Sequence, residues 1–174
     1  MRTLLITAAL LLAACSPAPT EEAPVSAATT AEAQAPANSD TAALGATPQT
    51  GSWTLRIDEG TTAAGFGVPE SEYQLVIGCQ AGGNITVIAE HELSPDQNTT
   101  LRIITAVQTI DLPARSFNEG LPTVTAEVTQ DAAAKTPLIG MLGAPTDRFA
   151  VDIAGQITVF PWDEAVAQAL TACR

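Results

Sequence analysis

The stretch that decides the fold runs from Tyr73 to Leu93: YQLVIGCQ (Tyr73–Gln80), AGGN (Ala81–Asn84), then ITVIAEHEL (Ile85–Leu93). Leu75, Ile77 and Cys79 alternate with Gln74, Val76 and Gly78, and Tyr73 continues the same apolar series. A period of two is that of a half-buried strand. The Gly-Gly-Asn cluster supplies the left-handed conformations that reverse a chain, and a second β-rich run follows at once. Two such runs across so short a turn predict an antiparallel hairpin.

The same pattern extends outward. Ser52–Asp58 (SWTLRID) puts Trp53, Leu55 and Ile57 on one face. Beyond the Ser94–Asn98 turn, Thr99–Val107 aligns Leu101, Ile103, Thr105 and Val107. Thr123–Thr129 carries Val124, Ala126 and Val128. Phe149, Val151 and Ile153 mark a further strand, turned at Gly155 into Gln156–Phe160. Short alternating strands with regular turns predict a mainly β domain: an antiparallel sheet, as a sandwich or a partly open barrel. Two helices interrupt it. Thr136 reads as an N-cap, with Pro137 at the first helical position and Gly143 just past the end. Pro161–Cys173 reads as a C-terminal amphipathic helix whose inward face holds Trp162, Val166, Ala169, Leu170 and Cys173. Asp163 and Glu164 in its first turn complement the helix dipole.

Before Ser52 the composition changes. Residues 1–14 have the layout of a signal peptide, with Arg2 followed by the apolar run Thr3–Leu12, too short to span a hydrocarbon layer of ~30 Å. The run ends Leu12-Ala13-Ala14-Cys15, which resembles the lipobox of bacterial lipoproteins. That resemblance implies cleavage before Cys15, lipidation of Cys15, and anchoring in the cell envelope through several acyl chains, since one alone is marginal. Ser16, not Asp, follows the cysteine, so the resemblance favours the outer membrane facing the periplasm. Residues 15–50 are then a lipidated tether. Ser16–Thr50 is rich in Ala, Pro, Thr and Ser, has no aromatic residue, and cannot offset the entropy of ordering. A flexible chain of this length reaches roughly 30–35 Å. The globular domain is expected at 51–174.

The chain has three cysteines. With Cys15 assigned to lipid, Cys79 and Cys173 remain, each on the apolar face of its element. Export to an oxidising compartment predicts a disulfide between them. A zinc site of Cys79, His91 and Cys173 would compete for the same sulfurs, so no metal is expected. His91 is the only histidine, and its neighbours Glu90 and Glu92 fall on the opposite strand face. It reads as a polar residue near a sheet end.

Chemistry is otherwise sparse. Nineteen acidic residues against seven basic give a net charge of −12. Loss of Arg2 with the signal makes it −13. Nucleic-acid binding requires clustered Lys and Arg, so that class of partner is excluded. Asp58/Glu59, Glu70/Glu72, Asp96 and Asp163/Glu164 sit at turns and element ends, where solvated acids collect. Gly65-Phe66-Gly67 and Gly78–Gly83 lack the strand–glycine loop–helix context of a nucleotide site. A lone histidine without a nucleophile elbow gives no triad. No catalytic residue and no cofactor are expected, and the ligand-binding residues are left unassigned.

Two further resemblances bear on 53–174. Ala63-Ala64-Gly65-Phe66-Gly67-Val68-Pro69 followed by Leu75–Cys79, then Thr136-Pro137-Leu138-Ile139, Asp147–Val151 and the ending Ala172-Cys173-Arg174, resemble a group of uncharacterised proteobacterial envelope proteins. That group has no established activity and implies architecture alone. The strand–helix–strand–hairpin–helix–Cys ending is loosely similar to lipoproteins accessory to type VI secretion. The Cys79 strand leading into a Gly turn is also similar to lysozyme-inhibitor lipoproteins, whose Ser-Gly-x-x-Tyr binding loop is missing here. The expected role is therefore a binding or structural module of the envelope with a possible protein partner there. Inhibition of a periplasmic or host enzyme such as a lysozyme is the alternative.

Overall fold

The computed structural model describes residues 39–174, so the signal peptide, Cys15 and the tether as far as residue 38 lie outside the described residues. Nine strands form one antiparallel sheet: β1 (Ser52–Asp58), β2 (Thr61–Gly67), β3 (Leu75–Cys79), β4 (Ile85–Glu90), β5 (Asn98–Ile104), β6 (Thr109–Phe117), β7 (Thr123–Val128), β8 (Arg148–Ile153) and β9 (Gln156–Pro161). Their order is β1-β2-β3-β4-β7-β6-β5-β8-β9, and the sheet curls into a half-barrel. One continuous sheet is made, not the two facing sheets of a sandwich.

The hairpin read first is β3–β4, paired from Leu75↔Ala89 to Cys79↔Ile85. Gly82 and Gly83 hold φ of 98° and 80°, the positive values that the turn requires. Alternation directs Ile77, Cys79, Ile85 and Val87 into the concave face together with Phe66, Leu101, Leu112, Val124 and Phe149. Two helices, α1 (Lys135–Leu142) and α2 (Glu164–Thr171), add Leu138, Leu142, Val166, Ala169 and Leu170 to that core. α2 packs across β1, β2 and β3 and against α1.

The two edges of the sheet approach one another. Gln49 N donates to Val159 O at 2.8 Å, and Trp53 Nε1 donates to Pro161 O at 2.7 Å. Behind these contacts sit four rings: Trp53 and Phe66 at 5.3 Å, Phe66 and Phe160 at 5.3 Å, and Phe149 and Phe160 at 5.9 Å between centroids. The seam between β1 and β9 is thus held from inside by aromatic packing.

Several boundaries differ from the sequence reading. Regular structure is present before residue 51: Ser39–Gly45 is a 3-10 helix, and its Ala43 and Leu44 cover Ile104, Ala150 and Val159 on the opposite face of the sheet. The tether expected to end at 50 therefore gives up its last dozen residues to the domain. β5 stops at Ile104. Thr105 instead closes a turn with Gln108, and Val107 at its tip is 86% exposed. Ile57, beside the β1–β2 turn, is also largely exposed. α1 begins earlier than expected, with Ala134 as an N-cap that makes no side-chain bond. Thr136 and Pro137 are then inside the first turn, where a missing N–H costs no helix hydrogen bond. Gly143 follows with an ordinary right-handed φ of −79°. At the C-terminal helix, Pro161 ends β9 and Asp163 is the cap, accepting from Ala165 N at 2.9 Å. Trp162 is not helical. It bridges the elements by donating from Nε1 to Leu142 O at 2.8 Å.

Candidate functional site

Cys79 ends β3 facing the core, and Cys173 follows the last turn of α2. The two are disulfide-bonded, with a Cα–Cα distance of 5.4 Å. Both sulfurs are therefore taken, and no zinc site of Cys79, His91 and Cys173 can form. Among the described residues no cluster of three or more His, Cys, Asp or Glu side chains comes together.

Most of the singled-out carboxylates belong to turns, a helix cap or ion pairs. Glu59, with φ of 43°, and Gly60 make the tight β1–β2 turn next to Asp58. Asp96 accepts from Arg115 at 2.9 Å, Asp163 caps α2, and Glu164 accepts from Gln168. A tighter pair escaped the sequence reading. Arg102 and Asp111 face each other across β5 and β6, with Nε and Nη2 on the two carboxylate oxygens at 2.7 and 3.3 Å. That hydrogen bonding, helped by the charge of Arg102, holds the Asp111 carboxyl below its ordinary 3.8 against the opposing effect of burial. A depressed carboxyl stabilises the fold above its unfolded pKa, and the contribution is lost as pH falls through the folded value. An NMR titration of Asp111 is expected to give a midpoint below 3.8 that returns towards 3.8 in Arg102→Ala. Both side chains are well exposed, so salt screens the effect and global stability changes little.

Glu70 and Glu72 lie in the loop between β2 and β3. Pro69 and Glu70 occupy the centre of a turn closed by Ser71 N on Val68 O at 3.2 Å, and Glu70 takes the positive φ of 65°. The loop folds beside Thr54 and Arg56 to form a cleft of about 560 Å³ on the convex face. Tyr73 is its floor, which corrects the expected grouping of Tyr73 with Leu75, Ile77 and Cys79. A bend at Gln74 precedes β3, and the Tyr73 ring lies over Gly65, where any Cβ would come within 2.8 Å of it. Arg56 stacks above that ring at 5.3 Å.

The same bend sends Gln74 the other way. Its backbone is fixed by Gln74 N on Phe66 O and Glu90 N on Gln74 O, both at 2.8 Å. Its side chain lines a cleft of about 180 Å³ at the open end of the half-barrel. Glu90 and His91 flank it, His91 being set by its N–H on Pro122 O at 3.0 Å. Gln156 and Thr158 of β9 and Gln49 of the preceding segment form the facing wall, and Val151, Ile153 and Phe160 make an apolar back. Gln74 Oε1 is buried and has no hydrogen-bond partner among the described residues. This cleft is the candidate site. His91 was visible in the sequence; the three glutamines and Thr158 were not, because no local pattern brings positions 49, 74, 156 and 158 together.

No family model matches the chain, and neither a curated protein nor a solved structure matches it.

Proposed function

We propose that this chain is a lipoprotein of the bacterial envelope, cleaved before Cys15 and lipidated there. The Ala/Pro-rich segment after Cys15 holds the β domain off the membrane, and the domain acts as a binding module. The observation that carries this reading is the Cys79–Cys173 disulfide. A disulfide favours an oxidising compartment, and this one leaves Cys15 as the odd cysteine of three, at the end of an apolar leader. Ser16 supports the outer membrane as the destination. A binding role is preferred to catalysis because the prominent carboxylates serve turns, caps and ion pairs. The net charge of −12 favours a second reading, docking on a basic enzyme such as a lysozyme; slowed lysozyme activity would support it.

Growth of an expressing bacterium with an alkyne-tagged fatty acid tests the anchor. The protein is expected to incorporate the tag and sediment with membranes, and Cys15→Ala to do neither. An untagged wild-type protein would refute lipidation.

A further inference from the structure

We propose that the cleft at the open end of the half-barrel binds a neutral sugar ring, free or at the end of a glycan. The cleft measures about 180 Å³, the liquid volume of about six waters, and this is the size class of one pyranose. Its chemistry narrows the occupant further. Among the described residues no Lys or Arg lines it, so a phosphate or carboxylate would enter without a countercharge from them. Gln49, Gln74 and Gln156 each offer a donor and an acceptor, and the Thr158 hydroxyl offers both as well. Vicinal hydroxyls of a sugar do the same, so each ligand hydroxyl can give and receive. Val151, Ile153 and Phe160 supply the apolar back against which the C–H face of a ring packs.

Gln74 Oε1 makes the cleft more than a polar depression. A buried acceptor without a donor costs about 1–3 kcal/mol, and this one belongs to a residue of the cleft lining whose backbone is held on both sides. Rotation of the Gln74 side chain about its terminal bonds turns Oε1 towards the cleft, and a ligand hydroxyl donating to it there removes that cost on binding. Glu90 and His91 at the rim add one carboxylate acceptor and one imidazole, suited to orienting hydroxyls from the solvent side.

The inference rests on the binding role proposed above but not on the lipid anchor. Failure of the fatty-acid labelling leaves it intact, and its own failure leaves the anchor intact. The test is saturation-transfer NMR on the full chain in detergent, against glucose, galactose, mannose and N-acetylglucosamine, with glucose 6-phosphate, glucuronate and glucosamine as charged counterparts. Short oligosaccharides of whichever sugar binds separate a free ring from a chain end. At least one neutral sugar is expected to show transfer, with the anionic counterparts weaker. Gln74→Leu should weaken binding by about tenfold or more while the protein melts no lower than the parent, because the substitution removes an unpaired acceptor. Thr158→Val on the facing wall repeats the binding test should Gln74→Leu misfold. Absence of transfer from every neutral sugar would overturn the proposal, as would equal binding of the anionic forms or unchanged affinity in the folded variants.

Discussion

Removing the Cys79–Cys173 disulfide, by reduction or by the double substitution Cys79→Ala/Cys173→Ala, is expected to lower the unfolding free energy by about 4–5 kcal/mol. The bond closes a loop of 94 residues, and a cross-link of that span restricts the unfolded chain by about this amount in the loop-entropy account. Domains of this size are stable by about 5–15 kcal/mol, so the loss is about a quarter or more of the total. Its structural consequence is directional. Cys173 ties the end of α2 to β3, and α2 covers β1, β2 and β3, so the released helix exposes that part of the concave face first. Urea unfolding with and without reductant measures the difference. A change below about 1 kcal/mol would show that the helix docks by packing alone.

Phe66→Ala is expected to cost about 3–5 kcal/mol. Phe66 is fully buried, with Trp53 and Phe160 each 5.3 Å from its ring. Trp53 belongs to β1 and Phe160 to β9, so this ring joins the two edges of the sheet from inside. Truncation leaves a cavity that the neighbouring rings cannot fill without abandoning the Trp53 bond to Pro161. Denaturant titration gives the magnitude, and Phe66→Leu, which keeps most of the volume, should cost less. A loss under about 1 kcal/mol would mean that the seam does not depend on the aromatic cluster.

Much of this architecture was legible in the sequence because the concave face of the sheet is buried and most of the other is not. Where that asymmetry is clean, as in β1 and β7, alternation marks the strands; in β3, β4 and β8 the second face is also partly covered, and the alternation of large with small or polar side chains marks them instead. β2 was missed because TTAAGFG carries glycine where a side chain would mark the pattern. Gly65 is bare for a tertiary reason, the Tyr73 ring that covers it. β6 alternates faithfully, but Pro113 at its centre argues against a strand. In the fold β6 pairs with β5 along its length and with β7 only from Ala114 onward, so the missing N–H falls beyond that second ladder. The disulfide could be read because both cysteines sit on apolar faces. The cleft could not. Its wall joins the start of β9, the bend before β3 and the segment before β1, and only the curl of the sheet brings these together.

The partition of the three cysteines is the centre of this account, and non-reducing tandem mass spectrometry of the protein taken from bacterial membranes tests it most directly. The predicted result is a lipid-modified Cys15 at the mature N-terminus and a single cross-linked peptide pair joining Cys79 to Cys173. An unmodified Cys15, or Cys15 cross-linked to either of the other two, would contradict it.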